Sequence, residues 1–139
     1  MNRWLKFLPW LLIAIAGATV WLQRSSGQPT DEIVLVCANL NQGCALPLPG
    51  APRIQVTGTL KPLSPFTVHL TGISAHSARI RFSMEGMEMG FNLYTLHPAP
   101  GGGVAGQVTL PVCVTGRRDW RMHIELDEAR FSLPFVTDL

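Results

Sequence analysis

From residue 54 onward the chain alternates apolar and polar positions with a period of two. Ile54 and Val56 alternate with Gln55 and Thr57, and Phe66, Val68 and Leu70 with Thr67, His69 and Thr71; Ala78, Ile80, Phe82 and Met84 alternate with Arg79, Arg81 and Ser83. A strand with one face in a core and the other in water has this period. Apolar runs return at 91–97 and 104–112. Trp120, Met122, Ile124 and Leu126 then alternate with Arg121, His123 and Glu125, and Phe131, Leu133 and Phe135 close the series. Upstream, the β-branched run 33–37 predicts a first strand. The stretch 45–52, ALPLPGAP, predicts an extended connector that its prolines keep out of a sheet. Strand-breaking residues fall between the runs, at LKPLSP and TGISAHS. About seven or eight short strands without helical period predict an all-β domain. The expected fold is an antiparallel β-sandwich of immunoglobulin-like type, with Trp120 as a core anchor.

The start of the chain has a different pattern. Residues 7–22, FLPWLLIAIAGATVWL, are uncharged and apolar, preceded by Arg3 and Lys6 and followed by Arg24. Trp4, Trp10 and Trp21 suit the lipid headgroup level, and the run is near the lower limit for crossing a bilayer as one helix. The positive amino-terminal side would stay cytoplasmic and send the rest of the chain across. A cleaved signal peptide is the alternative, with small residues at 16–18 for the cut. Val20, Trp21 and Leu22 extend the apolar run past that point, which favours an uncleaved signal anchor. The expected organisation is an anchor over 1–24, a small polar tether over 25–31 and a domain over 32–139. It would be a single-pass protein of the inner membrane with its C-terminal domain in the periplasm.

Composition narrows the function. A formal net charge of +2 with 14% charged residues offers no basic surface for nucleic acid, which is therefore not an expected partner. No nucleophile elbow, phosphate-cradling glycine loop or paired-carboxylate motif is present, so the sequence predicts no enzyme. Gly101, Gly102 and Gly103 lie between two strands, where glycine serves a turn.

The most unusual stretch is 83–92, SMEGMEMGFN, with Met84, Met87 and Met89 inside six residues. Interleaved glycines and carboxylates rule out a continuous buried strand and predict a strand end running into a kinked loop. Thioether sulfur is a soft, uncharged ligand for cuprous ion and survives where thiols oxidise. The metal reading takes Met84, Met87 and Met89 as ligands, with His97 or His76 as a nitrogen ligand. The packing reading puts Met84 on its strand's apolar face and lets Met87 and Met89 cover the sandwich end. Met84 is in phase with Phe82 and fits packing; Met87 and Met89, set among glycines and carboxylates, are expected to be exposed and are the better ligand candidates. Glu85 and Glu88 are read as solvating the loop.

Cys37 and Cys44 are seven positions apart across a turn-rich stretch, and an oxidising compartment favours a disulfide between them. Thiolate ligation of a metal is the alternative, with no further ligand nearby in sequence. Cys113, flanked by Val112 and Val114, is left as a buried small hydrophobe or a free thiol. The histidines show no zinc spacing, and His69 and His123, on the polar phase, are expected to face solvent. Arg117 and Arg118 with Asp119 make a compact charged turn, a candidate docking point for a partner.

The methionine segment and the stretch C-terminal to it, FSMEGMEMGFNLYTL and then GGGVAGQVTLPVCVTGRRDWRMHIEL, resemble the carboxy-terminal pattern of the YtkA-like and FixH-like extracytoplasmic families. The matching positions are Met84, Gly86, Met87, Met89, Asn92, the glycines 101–103, Gly116 and Trp120. Glu85 stands where the family often has proline, and the extra charged and helical segments of the long FixH-like form are missing. The resemblance implies an accessory role: handling of copper(I), or assembly of a copper-dependent respiratory oxidase, with that oxidase or its assembly factors as partners. The alternative is a structural module without metal that docks on a membrane protein complex.

Overall fold

The computed structural model describes residues 32–87 and 89–137. The expected anchor and tether lie outside the described residues, as does Glu88. Among the described residues there is no helix. The described residues form ten strands: β1 (Ile33–Val34), β2 (Cys44–Ala45), β3 (Arg53–Thr57), β4 (Pro65–Thr71), β5 (Ala78–Met84), β6 (Tyr94–Thr95), β7 (His97–Pro98), β8 (Val104–Thr109), β9 (Asp119–Leu126) and β10 (Ala129–Val136). They make two five-stranded sheets, ordered β1-β10-β9-β5-β6 and β2-β3-β4-β8-β7. All pairings between these strands are antiparallel except β1 with β10.

The alternation in the sequence sets the core. Ile54, Val56, Phe66, Val68, Leu70 and Val108 from one sheet are buried with Ile80, Phe82, Trp120, Met122, Ile124, Phe131 and Leu133 from the other. Burial of this kind is the main favourable term for a fold without helices. Phe66 and Phe82 meet edge to face across the two sheets, ring centroids 5.9 Å apart, the arrangement that aromatic quadrupoles favour. The Tyr94 hydroxyl donates to the Thr109 carbonyl at 2.7 Å and ties one sheet to the other.

Three elements differ from the sequence expectation. The first strand is paired only over Ile33–Val34, although the Leu35 N–H still donates to the Ser132 carbonyl at 2.8 Å. The proline-rich connector does enter a sheet, at its edge, where Ala45 pairs with Arg53; Pro47 and Pro49 fall just outside. The run 91–97 is not one strand. Tyr94–Thr95 pairs with β5 in the first sheet and His97–Pro98 with β8 in the second, so the chain crosses between sheets at buried Leu96. Gly106 makes room for this crossing, since a Cβ there would lie 2.7 Å from the Leu96 side chain.

Candidate metal site at the methionine hairpin

Beyond Met84, Glu85 and Gly86 turn the chain back on itself. Gly86 has φ +71°, a conformation open to glycine and costly for other residues. Met84 and Met87 then pair as an antiparallel bridge, Met84 N–H to Met87 carbonyl at 3.1 Å and Met87 N–H to Met84 carbonyl at 3.0 Å. Residues directly opposite in such a pair share a face, with Cβ atoms roughly 4.5–5.5 Å apart. The two methionine side chains therefore leave the same face of the pair. On the other side of Met84 the register places Trp120, and beyond it Phe135. Met87, Met84, Trp120 and Phe135 form one row across the inner face at the end of the sandwich. Met84 is 2% exposed and Met87 41%, so the row runs from core to rim. Met89 is half-buried against the core instead of standing in solvent.

The hairpin tip is clamped. Arg121 pairs through Nη2 with the Glu85 carboxylate, and Arg117 Nη2 donates to the Glu85 carbonyl at 3.2 Å. Glu85 keeps a side chain 70% exposed, in keeping with its reading as a solvating loop charge, and gains a guanidinium partner that the segment itself does not reveal. Arg117 also pairs with Asp119, which raises the guanidinium's pKa through the hydrogen bond and the charge, and lowers that of the Asp119 carboxyl for the same reason. Of the two arginines read as a docking point, Arg117 is committed to this clamp and Arg118 is exposed.

The histidines do not join the methionines. His97 is exposed on β7, beside Ala105. Its neighbour Leu96 donates to the Ala78 carbonyl, at the opposite end of β5 from Met84. Six residues of strand separate those ends, about 20 Å. His76 lies at the same far end, its ring 4.0 Å from the Asp127 carboxylate. His123 is buried, which corrects its expected solvent exposure. Its Nε2 lies 2.7 Å from Ser83 Oγ and its Nδ1 2.6 Å from Glu32 Oε1. His69 is half-buried, with Nε2 2.6 Å from Thr57 Oγ1. Among the described residues no cluster of three histidine, cysteine or carboxylate side chains could hold a metal.

A disulfide joins Cys37 to Cys44, Cα atoms 5.9 Å apart. Cys113 is a free, half-buried thiol 3.0 Å from Thr115 Oγ1, and that hydrogen bond lowers its pKa.

Asn92 supports the hairpin from behind. Its carboxamide accepts the Phe82 N–H and donates to the carbonyls of Phe82 and Met89, at 2.5, 2.8 and 2.9 Å. Sequence reasoning marked the position only through the family pattern; the role comes from a partner ten residues away. The Glu32–His123–Ser83 chain, which spans 91 residues of sequence, had no local signal. Comparison of the chain with protein-family models, with curated proteins and with solved structures gives no match. The resemblance to YtkA-like and FixH-like domains therefore rests on the methionine segment, Asn92, the glycines and Trp120 alone.

Proposed function

We propose that this chain is a membrane-tethered, periplasm-facing accessory protein that binds cuprous ion at the methionine hairpin and serves copper handling or the assembly of a copper-dependent respiratory oxidase. The domain carrying the site is an immunoglobulin-like sandwich in this reading. The observation that carries it is the pairing of Met84 with Met87, which sets two methionine side chains on one face at the rim, with Met89 two residues on. Soft, uncharged sulfur donors suit a soft monovalent ion, and the Arg121 contact takes up the nearest described carboxylate. A site with one buried and one half-exposed sulfur can release its ion to a second protein without unfolding. His97, at the far end of β5, is not part of this proposed ligand set.

The test is titration of the full-length protein in detergent with cuprous ion under ascorbate, against a competing chelator, beside a Met87→Leu, Met89→Leu variant. One-to-one binding that the variant loses supports the reading. Failure of the wild type to compete overturns it and favours the metal-free docking module.

A further inference from the structure

The segment 110–118, which carries the chain from the second sheet to the first, borders a cleft that copper binding does not use. Its volume is about 270 Å³, below the roughly 300–1,000 Å³ that encloses a drug-sized ligand, so its occupant is small. Cys113 lies in it and is the one free thiol among the described residues. The Thr115 hydroxyl, 3.0 Å from the sulfur, holds this thiol below its ordinary pKa against the opposing effect of partial burial. Backbone hydrogen bonds from Thr115 and Arg117, and the Arg117 charge, act in the same direction as the hydroxyl. Thiolate is the nucleophilic form of cysteine, so a half-buried sulfur with these partners can attack a disulfide.

The surroundings of the sulfur select which disulfide. Lys61 and Arg118 line the cleft, and neither meets a carboxylate of the described residues. Arg117 is committed to Asp119 and to the Glu85 carbonyl and is not counted with them. Thr137 also lines the cleft. It is 2% exposed, and its hydroxyl has no hydrogen-bond partner among the described residues. A buried hydroxyl without a partner is costly, and an amide or carboxylate held in the cleft would supply one. Leu63 and Val112 give the cleft exposed apolar walls, which suit the methylene groups beside a ligand's sulfur. A second copy of this chain is a poor partner for the thiol, because it would set Lys61 and Arg118 against their own copies.

We propose that Cys113 is an S-thiolation site for low-molecular-weight disulfides that carry carboxylates, with Lys61 and Arg118 at the carboxylates and Thr137 at a polar group of the ligand. The Cys113 thiolate attacks one sulfur of the disulfide. A bond forms between Sγ and that sulfur, the ligand's own sulfur–sulfur bond breaks, and the second sulfur leaves as a thiolate with the electron pair. Cys113 is oxidised, the small disulfide is the oxidant, and the thiol proton goes to water. The step does not depend on copper binding.

The test treats the full-length protein in detergent, without reductant, with oxidised glutathione, which carries carboxylates, or with bis(2-hydroxyethyl) disulfide, which carries no charge. Intact-mass spectrometry follows the rate with each. One glutathionyl group per chain is expected, and none in Cys113→Ser. Lys61→Gln and Arg118→Gln are each expected to lower the ratio of the glutathione rate to the neutral rate about two- to fivefold, the worth of one exposed ion pair. Thr137→Val is expected to lower the same ratio, since valine keeps the shape and loses the hydroxyl. A ratio unchanged in all three variants overturns the proposal, as does a wild type that stays unmodified or goes instead to a Cys113-linked dimer. An adduct that survives Cys113→Ser assigns the reaction to Cys37 or Cys44 and overturns it as well.

Discussion

Asn92 completes the hydrogen-bonding edge next to Phe82, although neither Asn92 nor its neighbours form a strand there. The edge of β5 facing away from β9 is met at Ala78 by the Leu96 N–H, at Ile80 by Tyr94, at Phe82 by the Asn92 carboxamide and at Met84 by Met87. One side chain stands in for a peptide unit and bridges the gap between β6 and the methionine hairpin. Asn92→Ala is expected to leave the Phe82 N–H and carbonyl unpaired in the interior, at about 2–4 kcal/mol. Urea denaturation checks this, and a loss below about 0.5 kcal/mol would show that water or the backbone replaces the carboxamide. Asn92→Asp is expected to cost a similar amount, since a carboxylate cannot donate to the Phe82 and Met89 carbonyls.

The three methionines are expected to separate by variant type. Met84→Ala opens a cavity beside Trp120 and costs roughly 2–5 kcal/mol, whereas Met84→Leu nearly conserves volume and costs less than about 1.5 kcal/mol. Met87→Leu at the half-exposed rim is expected to leave stability within about 0.5 kcal/mol of wild type. Thermal and urea unfolding of the metal-free protein measure all three. A large loss in Met87→Leu would assign that residue to packing.

The Glu32–His123–Ser83 chain fastens the first described residue to the sheet. Glu32→Ala removes the carboxylate from His123 and weakens the two-residue pairing of β1 with β10. The expected readout is faster amide exchange at Leu35, whose N–H is held by Ser132, with exchange at Ile80 and Ile124 unchanged. Equal protection of Leu35 in both proteins would show that β1 is held without the histidine.

The Arg117–Asp119 pair makes a pH prediction with a definite sign. The Arg117 hydrogen bond holds the Asp119 carboxyl below its ordinary value of 3.8 in the folded protein. The contribution of this pair to stability is thus present above about pH 3.8 and fades as pH falls through the depressed value. Carbon-detected NMR titration should place the Asp119 midpoint below 3.8, and Arg117→Gln should return it to the ordinary range. An unchanged midpoint in that variant would assign the shift elsewhere. The pair is exposed, so the effect on global stability is small.

The long strands were legible because a period of two is local. Ile80, Phe82 and Met84, or Trp120, Met122 and Ile124, declare their buried face within a few residues. The same pattern misled at His123, where the polar phase is buried: it tells which side faces away from the core, not what covers that side. Ser83 and Glu32 do so from 40 and 91 residues away. The run 91–97 looks like one strand because Phe91, Leu93 and Tyr94 are strand formers. Its pairing is decided by Ala78 on one side and Gly106 on the other, neither of them local. At the candidate site, the burial of Met84 followed from its phase and the kink after it from the glycines, but the two-residue turn that pairs Met84 with Met87 did not. Met89 was expected in solvent because its neighbours are polar or glycine, yet it packs on the core; that packing belongs to tertiary contacts and leaves no trace in the segment's composition.

Leu96 alone separates a strand of one sheet from a strand of the other. Pulling the two sheets apart would strain β6 and β7 through a single residue, so the ladders beside β5 and beside β8 must fail in the same event. The segment acts as a rivet through both plates of the sandwich. Mechanical or thermal opening is therefore expected to be all-or-none, with no stage at which one sheet has let go and the other still holds.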